Sequence, residues 1–224
     1  MPSLILIPSI ELDRLVLIGG GEFSFGETRA IDEYLMASMP SGNKTVAFLP
    51  TASGSAEYAA HFGNYLKQID PAIALVNVPI YRPRDARRQR NLDTVLAAGL
   101  VYLGGGVTNQ LLETIQGSPA DMAIRDAASK GAVVAAIGAA ASAFGRQTRN
   151  MRGAGAPLEG LGWISNAAID SGFDPQHDAA LRRLMSIPEI DIGVGIPPRT
   201  ALVIRGDGST EIIGGGSVTV FRKG

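Results

Sequence analysis

Short runs of consecutive apolar residues alternate along the first two thirds of the chain with longer stretches whose apolar positions recur every three or four residues. The first kind reads as strands buried on both faces, the second as amphipathic helices. Leu15–Glu22 (LVLIGGGE) predicts a strand that stops in glycines. TRAIDEYLMASM predicts a helix with Ile31, Leu35 and Met39 on one face. Lys44–Ser53 is a second strand, Ala56–Ile69 a helix and Ile73–Tyr81 a third strand. LDTVLAAG gives a short helix before the strand Leu100–Gly106 (LVYLGGG), and TNQLLETIQ a helix with Thr108 or Asn109 as its N-cap. ADMAIRDAASKG is a further helix, with Gly131 at its C-terminal stop. Val133–Gly145 (VVAAIGAAASAFG) then runs from a strand into a helix through a turn made of the smallest residues.

After Gly155 the pattern changes. A short strand is expected near Asn166–Asp170 and a helix over DAALRRLMSI. TALVIRGDGSTEIIGGGSVTVFRKG reads as two alternating strands joined at Gly-Asp-Gly, followed by a last strand. Strand–helix alternation at this spacing implies an α/β fold: a three-layer sandwich with a mostly parallel central sheet, helices on both faces and a C-terminal β-hairpin. No repeat, low-complexity tract or linker divides the 224 residues, so a single domain over 1–224 is expected, with 1–14 an N-terminal arm or strand. The opening MPSLILIPSIELDR has neither a basic n-region nor a small-residue cleavage site. Its apolar run is far shorter than the roughly 20 residues of a membrane span.

Composition narrows the chemistry. With 46% hydrophobic and 18% charged residues the chain reads as globular, and a net charge of -1 gives no general field for nucleic acid or membrane. Arg82, Arg84, Arg87, Arg88 and Arg90 form a local basic run, read as a solvated loop and helix start. The absence of cysteine excludes disulfides, thiolate catalysis and Cys-ligated zinc, and fits a reducing cytoplasm. GGGEFSFGET mimics a phosphate loop but carries Glu27 where the lysine belongs, and a carboxylate there repels phosphate. Of the two histidines, His61 lacks a second ligand at i+4, so no metal is expected and His61 reads as a surface or half-buried structural residue. No cofactor is implied.

Small residues end three strands, at Gly19–Gly21, Gly104–Gly106 and Gly138–Ala141. Ligands of open α/β sheets bind outside the carboxyl ends of the strands, and free N–H groups at such turns can hold an oxyanion. In order along the chain, LVLIGGGE, VAFLPTASG, VYLGGGVTNQLLETI, GLGWISNAAIDSGF and IGVGIPPRTALVIRGDGSTEIIGGGSVTVF resemble segments of the S51 serine peptidases, the family of aspartyl dipeptidases and cyanophycinases. The resemblance spans roughly Leu15 to Phe221. It implies a class I glutamine amidotransferase-like fold, a peptide or amino-acid-like ligand and a homodimer.

The family places its nucleophile in Gly-Thr-Ser-Ala-Gly-Ala on a strained elbow, and its base in Asp-Gln-His-Phe. Laid on this chain, the nucleophile position falls on Gly138 or, in a second register, on Ala140; the base position falls on Gly172. Pro197 and Pro198 stand where the family has an acidic pair. The resemblance therefore implies an S51-like protein that has lost its Ser–His machinery, with Glu22, Gly105, Gly106, Gln110, Ala139 and Arg182 as substrate-binding positions. Arg183 neighbours the last of these. Two alternatives stay open: an active peptidase using displaced Ser142 and His177, and a non-catalytic partner subunit.

Overall fold

The computed structural model describes residues 6–55, 57–153 and 155–223. Strands β1 (Arg14–Ile18), β2 (Thr45–Leu49), β3 (Ala74–Asn77), β4 (Leu100–Leu103) and β5 (Val133–Ile137) build the parallel part of a seven-stranded sheet. Between and after them run helices α1 (Arg29–Ser38), α2 (Glu57–Ile69), α3 (Gln89–Leu96), α4 (Thr108–Ile115), α5 (Pro119–Ser129) and the single turn α6 (Ala139–Ser142). The remaining elements are β6 (Gln147–Thr148), β7 (Leu158–Glu159), β8 (Ala167–Ser171), α7 (Ala179–Met185), β9 (Ile192–Ile196), β10 (Thr200–Arg205), β11 (Thr210–Gly214) and β12 (Thr219–Arg222). The large sheet has the order β11-β10-β1-β5-β4-β2-β3. From β1 through β3 each pairing is parallel, whereas β10 runs antiparallel to β1 and β11 antiparallel to β10.

The inner strands β1, β2, β4 and β5 are almost wholly apolar because both faces are covered. Successive side chains alternate between faces. Leu15, Leu17, Val101, Leu103, Val134 and Ala136 share one core with Leu111 and Ile115 of α4 and Ile124 of α5. Their neighbours Val16, Ile18, Leu100, Tyr102, Val133 and Ala135 share the other core with Ile31 and Leu35 of α1 and Phe62 and Leu66 of α2. On that second face Phe62 meets the rings of Phe23, Phe48, Tyr58, Tyr65 and Tyr102 at centroid distances of 4.9–6.1 Å. Such ring pairs add about 0.5–1.5 kcal/mol each beyond area burial, and they stiffen the wall behind the site.

The hairpin β10–β11 closes one edge, with the expected turn at Gly206–Gly208. The last strand leaves the hairpin, however. β12 pairs antiparallel with β9, and β9 lies parallel to β8, giving a separate three-stranded sheet covered by α7. The third strand is shorter than Ile73–Tyr81: β3 ends at Asn77, and Pro79, which has no N–H to donate, follows shortly. The helix after β4 starts one residue early. Val107 takes the N-cap position, and Thr108 Oγ1 donates to the Ala139 carbonyl (2.9 Å) instead of capping. Of the expected N-terminal arm, residues 1–5 lie outside the described residues. The rest is an arm, anchored by Ser9 N–H on the Trp163 carbonyl (2.8 Å) and an isolated bridge from Pro8 to Ile164.

Candidate active site

β1, β5 and β4 are neighbours in the sheet, so the three small-residue clusters converge at one edge. At the end of β5 the chain turns into α6 through Gly138, whose φ of 59° and ψ of −131° lie where side-chain-bearing residues are strained. A Cβ added at Gly138 would meet nothing within 4 Å. The turn is pinned from three sides. Gly138 N–H donates to the Ile18 carbonyl (2.9 Å), Ala141 N–H to the Gly138 carbonyl (2.8 Å), and Ser171 Oγ to the same carbonyl (2.6 Å). This strand, strained turn and helix form an elbow with Gly138 at its apex, and Ala140 lies buried in α6. The N–H of Ala139 and those of Gly105 and Gly106 have no acceptor among the described residues.

Two cavities open here. One, of about 210 Å³, is lined by the elbow residues Gly138, Ala139 and Ser142 together with Gly19, Gly106, Thr108, Arg149, Ser171 and Gly172 among others. The other, of about 610 Å³, lies beside it and is lined by Gly20, Gly21, Glu22, Phe48, Tyr58, His61, Gly104, Gly105 and Gly106 among others. Gly106 belongs to both and packs against the loop that follows β2. A Cβ there would collide with the Ala52 carbonyl, and its φ of 149° also favours glycine. The positions expected for nucleophile and base, Gly138 and Gly172, thus face one small cavity, and Glu22, Gly105, Gly106 and Ala139 line the pair.

Other expected residues lie elsewhere. Gln110 lines neither of the two cavities; its side-chain nitrogen lies 3.2 Å from where a Cβ on Gly54 would be. Arg182 is on α7 over the second sheet, ion-paired with Asp178 (2.8 Å) and stacked on Phe221 (4.3 Å), so it does not reach the elbow cavities.

The structure does not bring Ser142 and His177 together. Ser142 is buried in α6, where it accepts the Ser171 N–H (3.1 Å) and meets Ser171 Oγ at 2.9 Å. Since the Ser171 hydroxyl spends its proton on the Gly138 carbonyl, Ser142 donates in that contact. Ser142 is therefore a strut between α6 and β8, one turn past the elbow. His177 sits in the short turn Pro175–His177, exposed, with Nδ1 2.7 Å from Asp174 Oδ2.

Several site residues were not singled out by the sequence reading. Arg149 lines the elbow cavity and pairs with the buried Asp170 (2.9 Å). Burial raises the Asp170 carboxyl above its ordinary range, and Arg149 opposes this. The signal available was the basic run Arg146, Arg149, Arg152 just after the elbow. Tyr58 and the exposed His61 line the wider cavity, Tyr58 while also packing its ring against Phe23, Phe48 and Phe62. Burial and, next, the Glu22 carboxylate push the Tyr58 phenol well above its ordinary value, so it stays a donor. Glu27 folds back to accept the Glu22 N–H (2.9 Å), taking up a donor a phosphate would need. No group of His, Asp or Glu among the described residues is placed to hold a metal ion, and none of their helices is long and apolar enough to cross a membrane.

A glycine-apex elbow at the carboxyl end of a central parallel strand, facing cavities floored by free backbone N–H groups, defines an α/β protein of the hydrolase-elbow kind. The chain belongs to peptidase family S51, whose model matches residues 15–212. It is similar to the uncharacterized peptidase YgaJ of Bacillus subtilis (strain 168), 26% identical over 170 residues covering 75% of this chain and 70% of that protein. Among solved structures it is similar to a peptidase from an acI-B1 Actinobacterium, with a TM-score of 0.78 and 24% identity over 94% of this chain and 91% of the other. A candidate peptidase E from Listeria monocytogenes EGD-e gives a TM-score of 0.60 at 16% identity, over 95% of this chain and 100% of the other. These two structures establish the fold.

Proposed function

We propose that this chain is an S51-family protein without the Ser–His hydrolytic machinery, and that it binds a peptide or amino-acid-like ligand in the cavities at the elbow. The observation that carries this reading is Gly138. In an elbow the strained apex residue presents the nucleophile; here the apex has the strained backbone, the open space and no side chain. Without a hydroxyl or thiol at the apex no acyl-enzyme can form there, and without an imidazole at position 172 no base sits opposite it. The backbone donors of Ala139, Gly105 and Gly106 are independent of those side chains, so they can still hold or polarise a carbonyl oxygen. Non-hydrolytic chemistry on a bound ligand would use the same groups. We place the protein in the cytoplasm as a homodimer, from the lack of cysteine and the family resemblance.

The rival reading, hydrolysis by Ser142 and His177, requires Ser142 to leave both contacts with Ser171 and His177 to leave Asp174. Equilibrium dialysis with Asp-Leu and β-aspartyl-arginine, followed by mass spectrometry, separates the two. Retention of at least one peptide with no cleavage is expected. Turnover that disappears in Ser142→Ala would overturn the proposal.

A further inference from the structure

The elbow cavity owes its space to two missing side chains. A Cβ on Gly138 would meet nothing within 4 Å, and one on Gly172 would meet only the Gly19 carbonyl, at 3.7 Å. The cavity measures about 210 Å³, below the roughly 300–1,000 Å³ of a pocket for a drug-sized ligand. It suits a small group, and the hydrogen bonds around it say which kind. Most hydroxyls on its wall have spent their protons. Thr108 Oγ1 donates to the Ala139 carbonyl (2.9 Å), Ser171 Oγ to the Gly138 carbonyl (2.6 Å) and Ser142 Oγ to Ser171 Oγ (2.9 Å). Thr148 is the exception. It lines the cavity, is 1% exposed, and its hydroxyl has no partner among the described residues. A buried hydroxyl left unpaired is costly and calls for a water, an ion or a ligand. Arg149, the next residue, brings a half-exposed guanidinium to the same wall, and the Ala139 and Gly106 N–H groups there are free. No acidic side chain lines the cavity among the described residues; Asp170, the partner of Arg149, lies outside the lining. The unspent groups are therefore donors, and they come from three places: the end of β6, the elbow and the turn after β4. Donors from separate elements suit a tetrahedral oxyanion, whose oxygens point in different directions, better than a planar carboxylate.

We propose that the elbow cavity binds a tetrahedral oxyanion, either free phosphate or the phosphate group of a small organic ester. Thr148 donates its hydroxyl proton to one oxygen. Arg149 supplies the N–H groups that Asp170 does not engage, and the Ala139 and Gly106 N–H groups hold the remaining oxygens. The anion fills the space that a nucleophile and a base would occupy. The site stands whether or not a peptide occupies the wider cavity.

Equilibrium dialysis of the whole chain against isotope-labelled phosphate, O-phosphoserine and acetate tests this without relying on activity. Saturable retention of phosphate or phosphoserine is expected, about tenfold tighter than that of acetate. Thr148→Val keeps the shape of the side chain and removes only the hydroxyl, and is expected to weaken the retained phosphate probe about tenfold. R149Q/D170N removes both charges together, so that neither is stranded, and is expected to abolish retention. A thermal melt verifies the fold of each variant, and Thr148→Val decides the matter alone if the double variant does not fold. Tighter binding of phosphoserine than of phosphate assigns the anion to an organic ligand; the reverse assigns it to the free ion. Acetate bound as tightly as phosphate, or retention unchanged in Thr148→Val, overturns the oxyanion site. Retention of neither phosphate probe overturns it too and leaves Thr148 to a buried water, while peptide binding is judged by its own dialysis.

Discussion

At the scale of the residue, the account rests on the backbone of Gly138. Its φ of 59° with ψ of −131° strains any residue with a Cβ, by about 1–3 kcal/mol, yet the space beyond it is open. Gly138→Ala is therefore expected to fold and to lose about that much stability in urea melts. No loss at all would mean that the turn is unstrained and that the elbow apex lies elsewhere. The sequence reading left two registers open, apex at Gly138 or at Ala140, because AIGAAA offers small residues at every position and patterning cannot order them. The torsion angles decide it, since Ala140 is an ordinary buried helical residue. Arg149 escaped attention for the opposite reason: the run Arg146, Arg149, Arg152 does not say which arginine faces a site, and only the fold brings Arg149 to Asp170 and the elbow cavity.

At the scale of the element, helices α1 and α2 are tied by a buried acid. Asp32 of α1 is fully buried and accepts hydrogen bonds from Thr28 (2.7 Å) and from Tyr65 of α2 (2.9 Å), while its other oxygen has no partner among the described residues. Burial raises its carboxyl to about 6; the two hydroxyl donors lower it and the Glu33 charge adds to the rise. Because the folded value exceeds the unfolded one, the folded chain holds more protons between about pH 4 and 6. Stability therefore falls as pH rises through that window. Above it the cost of the buried charge is roughly 3 kcal/mol. In Asp32→Asn this part of the decline is expected to vanish, measured as the difference between wild-type and variant urea stabilities at pH 4 and pH 7. Parallel pH profiles for the two proteins would contradict it. Asp170, also raised by burial, contributes the same sign in both proteins and cancels in the comparison. The helices themselves were legible from their spacing, with Ile31 and Leu35 on the inner face. The buried aspartate was not, because it occupies a polar position of an amphipathic pattern.

At the scale of the whole molecule, the alternation of apolar runs and amphipathic stretches was enough to read the central sheet, its helices on both faces and the β10–β11 hairpin. Those features follow from local periodicity. The second sheet was missed because β12 follows the hairpin directly in sequence and yet pairs with β9, a choice made by tertiary packing against α7. Gln110, Arg182 and His177 matched motif positions or residue types, while the fold seats Gln110 beside Gly54, Arg182 on Phe221 and His177 on Asp174; Ser142 stays in the elbow cavity, hydrogen-bonded to Ser171. The central claim is an elbow without a nucleophile at its apex, with Gly138 and Gly172 lining one cavity. Its most direct test is intact-mass spectrometry of the chain after incubation with a fluorophosphonate probe. The unmodified mass is the expected result, because the elbow apex carries no hydroxyl and Ser142 is held by Ser171; a stoichiometric adduct that is lost in Ser142→Ala would contradict the account.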